Sequence, residues 1–157
     1  MKPFSIHDPV NHISLKLKPM ALEDKTFTIL IEVYKVKPNT NQMDGKAVEF
    51  FLSASDVDFI TYLYHQRLIP KDGYKLVRGK NGTARAFRIN HTPESINANH
   101  LSISLANGKG TVKENGFTTL KEVNNKIVIN ITFEQAIKMV KFMERSVIVH
   151  ELKFYSL

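Results

Sequence analysis

The chain contains no cysteine among its 157 residues, which excludes disulfides, thiolate metal sites and cysteine nucleophiles. Cysteine-free proteins suit a reducing compartment, so we expect a cytoplasmic protein, and the high Asn and Lys usage fits a phage, plasmid or bacterial source. No apolar run approaches the roughly 20 residues that a membrane-spanning helix needs. The first residues, Met1-Lys2-Pro3-Phe4-Ser5-Ile6-His7-Asp8, lack the apolar stretch of a secretory signal. The sequence therefore predicts a soluble protein without a membrane partner.

Signatures of catalysis and cofactor binding are also missing from the chain. Gly108-Lys109-Gly110-Thr111 contains part of a phosphate loop, but the upstream glycine and the strand-to-helix setting are absent. Asp56 and Asp58 lie at a predicted helix N-terminus, where capping and the helix dipole explain them. The histidines, such as His7 and His12, have no cysteine or carboxylate cluster nearby to complete a metal site. We therefore predict a protein that is not an enzyme and has no catalytic residues, metal or cofactor.

Positive charge is concentrated in one short segment. The formal net charge is +7, yet residues 1–70 carry eight basic and eight acidic side chains and are neutral. Residues 71–90 carry six basic side chains against Asp72 alone. A localised basic patch can bind a polyanion. The alternative is a solvated basic hairpin that only keeps the protein soluble.

The first half of the chain has the pattern of several strands followed by one helix. Apolar and polar residues alternate over Ile13–Lys18, which predicts a strand, and residues 26–37 and 46–53 predict two more. Residues 4–10 supply a short fourth strand. A helix over about 55–69 is predicted from its apolar spacing, with Ser55 and Asp58 as a capping box and Pro70 closing it.

The second half repeats this order. Strand patterns cover residues 74–78, 84–91, 101–105 and 127–131, and Asn81-Gly82 between the first two is a hairpin signal. Residues 106–125 are rich in Gly, Asn and Lys, which predicts a long mobile excursion. Thr132 with Gln135 forms a capping box for a last helix near 133–152. The chain is thus predicted to be one α+β domain of two ββββα repeats, approximately residues 1–70 and 71–157.

Three short passages resemble the Whirly family of single-stranded DNA-binding proteins, which are related to the kinetoplastid guide-RNA-binding proteins and, distantly, to the coactivator PC4. Lys126-Ile127-Val128-Ile129-Asn130-Ile131-Thr132-Phe133-Glu134-Gln135-Ala136 is similar to the Whirly passage from last strand to last helix. Phe51-Leu52-Ser53 resembles the Phe-Ser-Leu-Ser passage before the first helix. Lys16-Leu17-Lys18-Pro19-Met20-Ala21-Leu22 is the nearest match to the family's Lys-Gly-Lys-Ala-Ala-Leu motif, but it departs at the glycine and the first alanine.

The resemblance implies two antiparallel four-stranded sheets packed at an angle, with the two amphipathic helices forming an inner or oligomeric core. It also implies a homotetramer in which single strands pass along the sheet surfaces. Apolar residues on more than one face of each helix fit an oligomer, because such a helix needs two partners.

Binding of single strands needs cations along the phosphates and flat side chains on which bases stack. Phe87 is either a stacking platform or a core residue, and the same alternatives apply to Tyr74. The predicted nucleic-acid-binding residues are Lys16, Lys18, Lys35, Tyr74, Lys75, Arg78, Lys80, Arg85, Phe87 and Arg88.

The leading hypothesis is a protein that binds single-stranded DNA with weak sequence specificity and supports replication, recombination or repair. The first alternative is a structural or protein-interaction module that does not bind nucleic acid. The second is an RNA-binding protein of the same fold, because a stacking platform does not read the sugar.

Overall fold

Two four-stranded antiparallel sheets, each followed by one helix, make up the computed structural model of the chain, which describes residues 1–40, 42–92 and 99–155. Strands in each sheet lie in sequence order. The first unit is β1 (Phe4–Asp8), β2 (Ile13–Ala21), β3 (Phe27–Val36), β4 (Met43–Ser53) and α1 (Ala54–His65). The second unit is β5 (Tyr74–Lys80), β6 (Thr83–His91), β7 (Asn99–Val112), β8 (Thr118–Thr132) and α2 (Phe133–Tyr155). The predicted α+β class and the duplicated ββββα order are confirmed.

The apolar faces of both sheets contribute to one hydrophobic core. Alternation along each strand places one set of side chains inward, as in the buried row of Leu17, Ile31 and Phe50 across β2, β3 and β4. The ring centroids of Phe50 in the first sheet and Phe87 in the second are 5.8 Å apart. A single cluster of buried residues thus extends through both units.

Both helices begin with a capping box, but the first does so two residues earlier than predicted. The Ser53 hydroxyl accepts from the backbone N–H of Asp56, and the Asp56 carboxylate accepts from the backbone N–H of Ser53. The prediction of Ser55 and Asp58 is wrong, because two Ser-x-x-Asp patterns overlap and the earlier one begins at Ser53, the last residue of β4. The prediction of Thr132 and Gln135 at the start of α2 is confirmed by the same reciprocal bonds.

Residues 106–125 are not the predicted mobile excursion, because β7 and β8 continue as a paired hairpin across most of them. We call residues 108–123 the distal hairpin. Glycine permits the close approach of its backbone: a Cβ at Gly108 would overlap the carbonyl oxygen of Glu122, and one at Gly110 would overlap the side chain of Ala84. The polar composition that indicated a loop therefore reflects two exposed strands with tight backbone contacts.

The two helices pack on the sheets and on each other, yet leave apolar side chains exposed. Phe142 of α2 stacks on Phe4 with 5.2 Å between ring centroids, and Glu144 of α2 pairs with His65 of α1. No helix in the described part of the chain has the length and apolarity to span a membrane. Large hydrophobic residues that remain exposed on the helices are Phe59, Tyr62, Phe133, Ile148, Val149, Leu152 and Tyr155.

Candidate nucleic-acid interface

The basic segment 71–90 forms the hairpin of β5 and β6, and its cations are divided between the two faces of the second sheet. Arg78 lies opposite Arg85. This pair is on the inner face of the sheet, because the buried Phe87 lies two residues after Arg85 on β6. Lys75 lies opposite Arg88 on the other face, because successive side chains of a strand point to opposite faces. The cations that are adjacent in sequence therefore form two surfaces.

The cations on the inner face of the second sheet, among them Arg78 and Arg85, border an open cleft of about 690 Å³. The cleft lies between the second sheet and β4, the edge strand of the first sheet. Three of its lining residues are cationic and none is acidic. Because Asp56 pairs with Arg78, Lys80 and Arg85 are the cations that favour an anionic ligand here. Its aromatic and amide side chains add a surface for stacking and for hydrogen bonds. The lining residues are Phe50, Phe51, Arg78, Gly79, Lys80, Thr83, Ala84, Arg85, Asn107, Gly108 and Asn124.

Arg85 and Phe51 form the most accessible aromatic and cationic pair in this cleft. The Arg85 guanidinium lies 5.8 Å from the Phe51 ring centroid, within cation–π range, and 3.9 Å from a Glu49 carboxylate oxygen. Phe51 is 43% exposed whereas Phe50, the preceding residue, is 1% exposed. We did not predict Phe51 as a site residue. Two consecutive phenylalanines on a strand do give a signal, because alternation can bury only one of them.

Arg78 is committed to a structural ion pair. Its guanidinium donates to both carboxylate oxygens of Asp56, one bond being 2.6 Å long, and to the Phe51 carbonyl oxygen at 3.2 Å. Burial opposes ionisation of Asp56, but hydrogen bonds from Arg78 and from the Ser53 backbone outweigh it and lower the pKa of this carboxyl. Arg78 thus fastens the hairpin to the N-terminus of α1, and its charge is largely neutralised there.

Both aromatic residues predicted in the hairpin pack inward. Phe87 is 2% exposed, so its prediction as a nucleic-acid-binding residue is wrong and its alternative as a core residue is confirmed. Tyr74 is half-buried against the core, with its ring 5.2 Å from that of Phe59, and burial raises the pKa of its phenol. The sequence periodicity allowed either face for these two rings. The apolar residues around them in the folded protein place both on the inner face.

The outer face of the second sheet carries the remaining hairpin cations. Lys75 and Arg88 are exposed cross-strand partners, and exposed Lys126 of β8 lies one row away. The neighbouring row of the sheet on this face contains small residues, including Ala86 and Ala106. This face is basic, and it has no aromatic side chain among the described residues of its rows. It can hold phosphates but offers no platform for a base.

The first sheet contributes less free positive charge than predicted. Lys18 donates to Glu32 at 2.9 Å, and this bond raises the pKa of the lysine. Lys16 lies opposite Glu32, which in turn lies opposite Glu49, so this row has one lysine against two carboxylates. Lys35 is exposed on β3, outside the cleft.

Within residues 1–40, 42–92 and 99–155, no group of three His, Asp or Glu side chains has the arrangement of a metal site.

Comparisons of structure relate this fold to Whirly proteins. Over 98% of this chain and 95% of the other, the fold is similar to that of WHY3 from Arabidopsis thaliana, with a TM-score of 0.65 and 14% sequence identity. A plant transcriptional regulator, PBF-2, gives a TM-score of 0.67 with 12% identity, covering 99% of this chain and 96% of that chain. MRP1/MRP2 from the trypanosome gives a TM-score of 0.52 with 10% identity, covering 99% and 88%. No protein-family profile matches the chain, and no curated protein matches it. The likeness establishes a Whirly-like fold.

Proposed function

We propose that this protein binds single-stranded nucleic acid, most favourably DNA, with weak sequence specificity and without catalysis. The observation that carries the proposal is the cleft at the β4 edge, where the exposed ring of Phe51 lies beneath the Arg85 guanidinium and no lining side chain is acidic. An unpaired base can stack on such a ring while a cation contacts its phosphate. A duplex has its bases already stacked and cannot use the ring in this way.

The outer face of the second sheet adds a phosphate-binding surface to the proposal. Lys75, Arg88 and Lys126 are exposed there, so a strand leaving the cleft meets further cations. Contacts between these cations and phosphates carry no sequence information, which supports weak sequence specificity. A role in replication, recombination or repair, in an intracellular setting, is part of the proposal.

Fluorescence anisotropy with labelled oligo-dT, an RNA of equal length and a matched duplex, over a salt series, tests this function. If roughly four to six phosphates are neutralised, log affinity should fall against log salt with a slope of about −3 to −4. Single strands should bind more tightly than duplex, and the RNA arm decides between the DNA and RNA alternatives. Equal or tighter duplex binding at every salt concentration contradicts the proposal.

Variants separate the cleft from general electrostatics. Phe51→Ala should weaken single-strand binding without changing the salt slope, because stacking releases no counterions. Replacing Arg85 should flatten the slope by roughly 0.7 per lost phosphate contact. Lys46→Ala is the matched control, because this exposed lysine lies on the same strand five residues, or about 17 Å, from Phe51. If Arg85→Ala binds like Lys46→Ala, the cleft is not the binding site. If the parent itself binds no single strand, an interaction module without nucleic-acid binding becomes the better hypothesis.

We also propose a homotetramer, which is supported by the exposed apolar side chains on both helices, among them Tyr62 of α1 and Leu152 of α2. Helices that are apolar on more than one face bury the surplus against another subunit. Sedimentation equilibrium should give about four times the 17.9 kDa protomer mass. A monomer at micromolar concentration contradicts the assembly but leaves the cleft intact.

A further inference from the structure

The turn of the distal hairpin presents an unpacked aromatic ring. Phe117 is 71% exposed, the largest exposed fraction of any described phenylalanine or tyrosine. Among the described residues it has no ring partner and no cation above its face. A single exposed apolar residue is common on protein surfaces, so its surroundings decide whether the exposure has a use.

The backbone around Phe117 is held by an ordered network. The Lys113 N–H donates to the Phe117 carbonyl at 2.8 Å, and the Gly116 N–H donates to the Lys113 carbonyl at 2.9 Å. The Phe117 N–H donates to the Asn115 side-chain oxygen at 3.1 Å, and Gly116 takes the positive φ of 84° that the turn requires. A ring on a fixed turn loses little backbone entropy when a ligand stacks on it.

The same turn lies at the rim of the cleft. Thr118, the next residue, donates its hydroxyl to the Gly79 carbonyl at 3.3 Å, and Gly79 lines the cleft. On the other strand, the Val112 N–H donates to the Asn81 side-chain oxygen at 2.7 Å. These bonds join the distal hairpin to the turn of the basic hairpin. Exposed lysines lie near both turns: Lys80 is the last residue of β5, and Lys113 follows the end of β7.

We propose that Phe117 is a second stacking platform, which holds an unpaired base of the strand that leaves the cleft. An exposed aromatic ring on a fixed turn, one residue from a contact with the cleft wall and with exposed Lys113 on the same turn, is an arrangement that single-strand binding uses. The inference rests on the proposed function, since it extends the same binding track beyond Phe51. The ligand recognised here is a nucleobase together with its neighbouring phosphates.

The chain has no tryptophan, so Phe117→Trp creates a single fluorescent reporter at this position. Saturating oligo-dT should quench its emission, because bases stacked on an indole quench it. An abasic oligonucleotide with the same number of phosphates should leave the emission unchanged. Val10→Trp is the matched control: Val10 is 78% exposed at the turn after β1, on the first sheet, and its reporter should respond to neither ligand.

Phe117→Ala provides the affinity measurement. Its binding to oligo-dT should be weaker by roughly 5- to 140-fold, which corresponds to about 1–3 kcal/mol for one stacked base, with the salt slope unchanged. Phe117→Tyr should restore the affinity. Sedimentation of Phe117→Ala should give the parent mass.

The outcomes separate this inference from the function on which it rests. If the parent protein does not bind oligo-dT in the anisotropy assay, the proposed function and this inference both fail. If the parent binds while Phe117→Trp emission is unchanged, or Phe117→Ala binds within twofold of the parent, only the inference is overturned. A change of sedimentation mass in Phe117→Ala would identify Phe117 as a subunit contact and would also overturn it.

Discussion

Replacing Arg78 with methionine should destabilise the protein by about 2–3 kcal/mol. Removing one partner of a buried ion pair costs roughly 3–5 kcal/mol, because the other charge is left buried and unpaired. The side chain of Asp56 is only 8% exposed, but that of Arg78 is 47% exposed, so water compensates for part of the loss. In the parent, the Ser53 N–H donates to the Asp56 carboxylate at 2.8 Å. The variant keeps this hydrogen bond, which reduces the cost further.

Urea denaturation followed by circular dichroism measures this loss. Arg88→Met is the matched control, because Arg88 is an exposed arginine on the paired strand, and its replacement should change stability by less than about 0.5 kcal/mol. The double variant Arg78→Met with Asp56→Asn should be less destabilised than the sum of the two single variants, because it leaves no unpaired buried charge.

The pH dependence of the Arg78 effect has a definite sign. Arg78 helps to hold the folded pKa of Asp56 below its ordinary value of 3.8, so its stabilisation is present above pH 3.8 and is lost as the pH falls through the folded pKa. The difference in stability between parent and Arg78→Met should therefore shrink below about pH 3.8. A loss under 0.5 kcal/mol at pH 7, or a difference that stays constant down to acid pH, refutes the reasoning.

Three further predictions test the fold. Phe87→Ala should lose about 3–5 kcal/mol in urea denaturation because it empties the centre of the core, whereas Phe51→Ala should lose much less; equal losses would contradict the assignment of Phe87 to the core. Thr132→Ala should lose about 1 kcal/mol of stability by removing the α2 cap, and Thr132→Ser should recover that stability. A Thr132→Ala variant as stable as the parent would show that the cap bond does not stabilise the helix. Gly108→Ala should speed hydrogen exchange of the distal-hairpin amides, because its Cβ would displace the Glu122 carbonyl; unchanged exchange would show that the approach is not tight.

The order of strands and helices could be predicted from the sequence because the signals are local. Alternation over Ile13–Lys18 and the reciprocal pair Thr132 and Gln135 each depend on a few neighbouring residues, and both appear as predicted. The cap of α1 was predicted two residues too late, because Ser53 and Ser55 both have an aspartate three residues later. Only the end of β4 in three dimensions selects between them.

The binding residues were less predictable because they depend on contacts between distant segments. Charge counting located the basic hairpin, but it could not assign Arg78 to Asp56, which lies 22 residues earlier, or place Arg85 over Phe51. The composition of residues 106–125 indicated a loop, since the reason for its glycines, an approach to Glu122 and Ala84, is a tertiary one. Phe117 was missed for the same reason.

Because they share one core, the two ββββα units depend on each other for stability. Since Phe50 packs on Phe87 and Arg78 reaches across to Asp56, neither half has a complete interior by itself. A chain cut between Pro70 and Lys71 would leave each piece with one apolar sheet face open to water. The repeat is therefore a pattern of architecture and not a unit that can be lost or exchanged alone, and any ancestor built from one copy would have needed a second chain to fill the same space.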